Sequence, residues 1–208
     1  MEPTHPLTVI EQRVQLCTDC NLCNIRDALD KDGNTGLAVP GAGPYDADIV
    51  IIGEAPGRME HLRGVPFANT ASNGAGTILN RMLSNAGISR ADVYVTNMVK
   101  CWPGEGNPDP LPEQLEACSQ WLDQQLDIIR PKGIITLGKF STSKYMEFKT
   151  MGSVQGHVRI GQWPEGARFH VMPIYHPAYL ARNPDEEERS TEFLRAFKEI
   201  INDTVEGG

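Results

Sequence analysis

Four short apolar runs predict the strands of a buried β-sheet. They span residues 48–53 (DIVIIG), 93–97 (VYVTN), 133–138 (GIITLG) and 169–175 (FHVMPIY). The runs are rich in Ile and Val and are bounded by turn residues, which is typical of strands covered on both faces.

Helical patterns occupy the segments between and after these runs. Apolar residues recur on one face of 75–86, a proline opens the pattern at 112–129, a shorter pattern covers 140–148, and an acidic one covers 185–201. This alternation indicates a three-layer α/β/α fold around a mainly parallel, four-stranded sheet. The length of 208 residues suits a single domain spanning 1–208.

The overall charge narrows the classes of function. A formal net charge of −8 argues against a protein that coats nucleic acid through charge alone. It permits a small footprint in which backbone N–H groups and a few cations bind phosphates. No run reaches the roughly 18 apolar residues of a membrane helix, and the N-terminal residues lack a signal-peptide pattern. We therefore expect a cytoplasmic protein with no membrane partner.

The five cysteines favour metal ligation or free thiols over disulfides, because no export signal is visible and their number is odd. Cys17 and Cys20 form a C-x2-C pair, and Cys20 and Cys23 form a second one. Cys101 and Cys118 are distant in sequence but could join them. Four thiolates hold zinc or an iron–sulfur cluster, and the residues alone do not choose between these. The alternative for Cys101 and Cys118 is that they are ordinary buried residues.

Unusual residues follow the predicted strands, where parallel sheets bind their ligands. GEAPG at 53–57 follows the first strand, and Glu54 and Glu60 could converge on one pocket or be solvated. Asn97 ends the second strand, where an amide can read a flat base edge or merely cap a turn. His176 follows the fourth strand and could donate to developing negative charge or be structural.

These segments, in this order, resemble the family 4 uracil-DNA glycosylases, the iron–sulfur branch of the uracil-DNA glycosylase superfamily. The resemblance runs from about residue 14 to 184 and includes the second cysteine at Cys118. The other matching segments are CTDC, IVIIGEAPGRMEHLRGVPF, DVYVTNMVKCWP, PKGIITLGK and YHPAYLARNP.

The resemblance implies a DNA repair enzyme that hydrolyses the N-glycosidic bond of deoxyuridine in DNA and leaves an abasic site. Its partner would be uracil-containing DNA, with the target nucleotide flipped out of the stack or presented on a single strand. The resemblance also implies a structural [4Fe-4S] cluster on Cys17, Cys20, Cys101 and Cys118, with Cys23 spare. We expect a monomer associated with the nucleoid.

The resemblance also gives roles to the candidate site residues. His176 would stabilise negative charge at uracil O2, and Phe67 would stack on the base, although an aromatic residue there could simply fill the core. Asn97 would accept from N3–H and donate to O4, a pattern that cytosine does not present. Glu60 would crowd the C5 position and reject thymine, and Glu54 would position water.

Four further residues complete the predicted site. Ala55 stands where other branches carry a side chain that directs water, so catalysis would depend more on electrostatics. Tyr179, Leu180 and Arg182 match a segment that presses into the duplex, an apolar wedge beside a cation. The alternative is an ordinary surface turn.

The sequence departs from the family pattern at three places, and these bear on specificity. His61 stands where aspartate is common, Trp102 replaces a common arginine, and Phe67 is followed by the unusually long ANTASNGAG. A catalytically silent relative that binds nucleic acid or a replication partner is therefore an alternative. A covalent uracil-binding relative lacks support because no basic insertion is present, and a zinc-stabilised hydrolase is a third alternative.

Overall fold

A computed structural model of the chain describes residues 4–28, 32–68 and 71–206. Within them, five strands form one sheet: β1 (Ile49–Gly53), β2 (Val93–Asn97), β3 (Gly133–Leu137), β4 (Arg159–Gln162) and β5 (Arg168–Ile174). The helices are α1 (Pro6–Gln15), α2 (Leu22–Asp27), α3 (Arg58–Arg63), α4 (Ala75–Asn85), α5 (Pro112–Ile129), α6 (Lys139–Ser143), α7 (Pro177–Leu180) and α8 (Asp185–Glu206).

The strand order is β2-β1-β3-β5-β4, and every pairing is parallel except that of β4 with β5. The predicted α/β class with a mainly parallel sheet is confirmed. β4 is a fifth strand that the apolar pattern did not reveal, because its residues RIGQ are mostly exposed. It lies at the edge of the sheet and pairs through its backbone with β5.

Side chains that alternate along the strands fill the spaces on both sides of the sheet. On one face they pack against α4 and α8, in a core that includes Ile51, Val95, Leu79 and Phe197. On the other face they pack against α1 and α5, in a core that includes residues Val50, Tyr94, Leu7, Leu122 and Leu126. The sheet is thus covered on both faces, as the continuous apolar runs predict.

The N-terminal helices extend the second layer. Ile10 and Val14 of α1 and Leu22 at the start of α2 pack with Cys101, Cys118 and Trp121. This third cluster joins the N-terminal segment to α5 and to the loop after β2. Among the described residues, no helix is both long enough and apolar enough to span a bilayer.

The strand register brings four carboxyl ends to one edge of the sheet. Gly53 of β1 lies beside Asn97 of β2, and Leu137 of β3 lies beside Ile174 of β5. The chain order reverses at β1, since β2 lies on one side of it and β3 on the other. Open α/β sheets bind ligands beyond such a reversal.

Candidate active site

A cleft of about 620 Å³ opens beyond the carboxyl ends of these strands. It is bounded by segments that follow β1, β3 and β5 and by the loop that follows β2. Its lining residues include Glu54, Ala55, Asn107, Lys139, Tyr175, His176, Tyr179 and Arg182. The cleft therefore lies at the edge of the sheet where the sequence predicts a ligand site.

His176 lies at the N-terminus of α7, and its ring is held in one tautomer. Its Nδ1 accepts the backbone N–H of Ala178 at 3.1 Å, so the proton of the neutral ring is on Nε2. Burial, together with the nearby Arg182 guanidinium, lowers the pKa of His176 to about 4. At neutral pH the ring is uncharged and still has one N–H to donate.

Phe67 lies next to His176, in a backbone conformation that few residues adopt. Its φ is +57°, in the left-handed region. Its ring is 7% exposed, and its centroid is 5.8 Å from that of the His176 ring. Residues 69 and 70 of the long stretch after Phe67 lie outside the described residues.

Asn97 meets Phe67 at the end of β1, where Gly53 makes room for both. A Cβ added to Gly53 would be 2.2 Å from Asn97 Oδ1 and 3.0 Å from Phe67 Cζ. Asn97 is fully buried, and neither Oδ1 nor Nδ2 has a hydrogen-bond partner among the described residues. An unpaired buried amide costs about 1–3 kcal/mol per group, and native proteins rarely leave one without a reason. Its donor and acceptor are thus not engaged by other described residues, and neither Asn97 nor Phe67 is among the described residues that line the cleft.

Glu54 follows β1 directly and lines the cleft. Burial raises the pKa of its carboxyl to about 7, the Asp109 carboxylate adds to the rise, and the Lys139 ammonium opposes it. Lys139, which lines the cleft, forms an ion pair with Asp109 at 2.6 Å. A carboxyl that titrates near neutral pH is suited to proton transfer or to placing water.

Glu60 has a different environment from Glu54. Its carboxylate accepts the backbone N–H of Gly57 at the start of α3 and the backbone N–H of Phe67. Burial raises its pKa, and these two hydrogen bonds act in the opposite direction. It is not among the described residues that line the cleft. Its visible contacts therefore hold the Phe67 loop against α3.

In the segment after His176, Tyr179 lies at the surface and Leu180 lies in the core. Tyr179 is 37% exposed and stacks on Tyr175 with ring centroids 4.5 Å apart, and Arg182 lines the cleft. Leu180 is buried in the core with α8, at 1% exposure. This differs from the prediction of an exposed wedge, because α7 turns Leu180 inward. Tyr179 is the residue of this helix that faces solvent.

All five cysteines line one small cavity between the N-terminal helices and α5. The indole N–H of Trp121 donates to Cys17 Sγ at 3.4 Å, and the backbone N–H of Lys100 donates to Cys118 Sγ at 3.3 Å. Burial raises the pKa of the Cys101 thiol to about 12 and that of Cys118 to about 11. In the part of the chain that the structure describes, no three Cys, His, Asp or Glu side chains are placed to share a single metal ion.

The structure adds residues that the sequence reasoning missed. Lys139 lines the cleft and pairs with Asp109. Asn107 also lines it, and its Oδ1 accepts the indole N–H of Trp102 at 3.1 Å. The position of Lys139, two residues after the end of β3, was a usable signal. Trp102 also packs on His61 at 5.2 Å, so two of the departures noted from the sequence contact each other.

Comparison with known proteins relates this chain to the uracil-DNA glycosylases. A family model described as the uracil DNA glycosylase superfamily matches residues 40–203. The type-4 uracil-DNA glycosylase of Archaeoglobus fulgidus is 42% identical over 168 residues, which cover 78% of this chain and 79% of that protein. The type-4 uracil-DNA glycosylase of Saccharolobus solfataricus is 37% identical over 203 residues, covering 94% and 87%. That of Thermotoga maritima is 35% identical over 183 residues, covering 88% and 87%. The chain therefore belongs to the uracil-DNA glycosylase superfamily and, within it, to the type-4 branch.

Proposed function

We propose that this chain excises uracil from DNA by hydrolysing the N-glycosidic bond of deoxyuridine, which leaves an abasic site. The observation that carries the proposal is the buried amide of Asn97, unpaired among the described residues and close to Phe67, whose ring centroid lies 5.8 Å from that of His176. Type-4 uracil-DNA glycosylases that are similar over most of the chain support the same activity.

The flipped base would be recognised by shape and by its polar edge. Phe67 stacks on the uracil ring, and Asn97 accepts from N3–H and donates to O4. Cytosine offers an acceptor at N3 and a donor at C4, so it mismatches the amide in this orientation. Glu60 acts on this recognition through its hold on the Phe67 backbone. The proposal also includes a role for Glu60 in crowding the C5 position, which would exclude the methyl group of thymine.

Bond cleavage develops negative charge on the uracil and positive charge on the sugar. His176, kept neutral by its low pKa, donates its Nε2–H to the oxygen at C2 of the leaving base. The ionised form of Glu54 stabilises the positive sugar and places the attacking water. Ala55 has no polar side chain to assist, so Glu54 is the group in the cleft best suited to that task.

The DNA would be bound through few charges, as the acidic chain requires. Tyr179 presents an exposed ring at the rim of the cleft, and Arg182 supplies a cation near the phosphates. Leu180 would contribute only by supporting α7 from the core.

The cysteine cavity suits a [4Fe-4S] cluster held by Cys17, Cys20, Cys101 and Cys118, with Cys23 spare. The thiols converge on one cavity, and two of them already accept N–H donors, which stabilise thiolate sulfur. A cluster of four irons needs one thiolate per iron, so its ligands are spaced more widely than those of a single ion. Its contribution would be structural, since it would tie the N-terminal helices to α5 and to the loop after β2.

The activity is tested with a uracil-containing oligonucleotide, treated with alkali after incubation to break the strand at abasic sites. Cleavage by the wild-type chain and its loss in Asn97→Ala and His176→Ala would support the proposal. Intact strands with the wild-type protein would favour a catalytically silent relative instead. Iron analysis and absorbance at about 400 nm, expected for a thiolate-bound cluster, distinguish the cluster from zinc.

A further inference from the structure

Lys100 is a buried cation that the roles above do not use. It is 1% exposed, and its ammonium group donates to three oxygens: Asn97 O at 2.7 Å, Thr96 Oγ1 at 2.7 Å and Gln125 Oε1 at 2.8 Å. An ammonium has three donors, so each has one partner. None of the three acceptors is a carboxylate, and a buried charge without a counter-ion is costly to retain.

The three acceptors belong to the elements that support the base-reading amide. Thr96 and Asn97 are the last residues of β2, and Gln125 lies on α5. The Thr96 hydroxyl donates to Pro40 O at 2.6 Å, and Gln125 Nε2 donates to the same oxygen at 2.9 Å. Gln125 Nε2 also donates to the Tyr94 hydroxyl at 3.2 Å, which in turn donates to the Glu11 carboxylate at 3.3 Å.

Asn97 is the member of this network that lies close to Phe67, at the end of β1. Its carbonyl accepts a hydrogen bond from Lys100, whereas its side-chain amide has no partner in the part of the chain that the structure describes. Lys100 therefore holds the backbone from which the Asn97 side chain extends. This matters because hydrogen bonds from the Asn97 amide to a ligand depend on placement of the amide to within less than about 1 Å.

We propose that Lys100 is a positioning residue that sets the location of the Asn97 amide and thereby the selectivity for the uracil edge. The inference rests on the proposed role of Asn97 in reading uracil. Lys100 does not touch the base; it acts through the carbonyl of Asn97. Its backbone N–H also donates to Cys118 Sγ, a contact that a change of side chain leaves in place.

The test compares wild type with Lys100→Met, which keeps the length of the side chain and removes all three donors. Inhibition of the glycosylase by free uracil is measured against inhibition by 3-methyluracil, which lacks the N3–H donor. We expect the preference for uracil to fall about tenfold or more, as the loss of one well-placed hydrogen bond implies. Turnover at saturating DNA should fall with it, whereas iron content should match the wild type.

Lys132→Met is the matched control. Lys132 is a partly exposed lysine that pairs with Asp48 at 2.8 Å, and the hydrogen-bond network described above does not include it. Its uracil preference should equal that of the wild type. A Lys100→Met protein that is folded, retains iron and keeps the wild-type preference overturns the inference.

Two further variants separate the possible failures. If Asn97→Ala keeps the uracil preference, the proposed reading role of Asn97 fails; if it loses the preference while Lys100→Met does not, only the role of Lys100 fails. If Lys100→Met does not fold, Thr96→Val removes one of the three acceptors and should reduce the preference several-fold. An unchanged preference in Thr96→Val would then count against the inference.

Discussion

At the scale of single residues, two glutamates of similar sequence context have separate tasks because their surroundings differ. Glu54 faces the cleft, where burial raises its pKa to about 7. Glu60 is engaged by two backbone N–H groups that hold a loop. The sequence places both on one loop and gives no means of separating them, since the difference depends on which one faces the cavity.

The pH dependence of the reaction should follow Glu54. Its raised pKa means that the carboxyl loses its proton only as the pH rises through about 7. If the ionised form is the active one, kcat/KM should rise with pH across that range and then level off. In Glu54→Gln, kcat/KM should be lower and flat between about pH 6 and pH 8.

Asp109 supplies a second variant for the same profile. Its carboxylate contributes to the raised pKa of Glu54, so Asp109→Asn should move the midpoint to lower pH. The measurement is kcat/KM on a uracil oligonucleotide at a series of pH values and constant ionic strength. A midpoint that stays near 7 in Glu54→Gln would show that another group controls the rate.

Glu60→Gln should weaken both base binding and the fold. In the glutamine variant one of the two N–H groups faces the side-chain NH2 and loses its acceptor, so the link between the start of α3 and the left-handed Phe67 backbone is broken at one end. We expect a loss of about 1–3 kcal/mol in the free energy of unfolding, the cost of leaving a buried donor unpaired. Urea denaturation measures it, and KM for the oligonucleotide should rise.

Glu165→Gln is the comparison for Glu60→Gln, because Glu165 is exposed and pairs with Arg130 at 3.2 Å on the surface. Its effect on stability should stay within about 0.5 kcal/mol. If the two variants change the free energy of unfolding equally, Glu60 does not hold the Phe67 loop.

At the scale of elements, the apolar pattern predicted the buried strands and the long helices, and it missed pieces that depend on tertiary contacts. α5 begins and ends as predicted, whereas the helix expected at 140–148 ends at Ser143. Ser141 and Ser143 hydrogen-bond to backbone carbonyls there, which competes with helix continuation. β4 and α1 escaped prediction because pairing with β5 and packing on α5, respectively, stabilise them.

The candidate site was predictable as a set of positions at one sheet edge but not as a set of contacts. The rule for parallel sheets identified the edge. Glu54, Ala55 and His176 line the cleft there, whereas Asn97 and Phe67 are not among the described residues that line it. The burial of Leu180 and the ion pair of Lys139 with Asp109 depend on how short segments turn, which a linear pattern does not encode.

The end of β1 offers a direct test of the convergence of Asn97 and Phe67. Gly53→Ala would place a methyl group 2.2 Å from Asn97 Oδ1 and 3.0 Å from Phe67 Cζ, so both side chains must move. Because displacement by about 1 Å can cost a hundredfold in rate, we expect activity to fall by about that factor. Circular dichroism and iron content should be unchanged, and wild-type activity would show that the two side chains do not meet at the base.

At the scale of the whole molecule, the net charge of −8 limits how DNA can be held. Two cations, Lys139 and Arg182, line the cleft, and Lys139 is already paired with Asp109. Each phosphate that the protein neutralises contributes close to one unit to the slope of log affinity against log salt concentration. A binding mode with so few cations should therefore depend weakly on salt: the slope is about −1 for Arg182 alone and reaches about −2 only if Lys139 leaves Asp109 to bind a phosphate.

Arg182→Ala should reduce that slope by about one, because one counterion-releasing contact is lost. Arg81→Ala is the control: Arg81 is engaged by Glu187 at 2.6 Å between α4 and α8, away from the cleft, and its loss should leave the slope unchanged. Fluorescence anisotropy with a labelled oligonucleotide at several salt concentrations measures both slopes. A steep slope that neither substitution alters would indicate that DNA lies on a different face, because the cleft would then contribute no phosphate contact through its arginine.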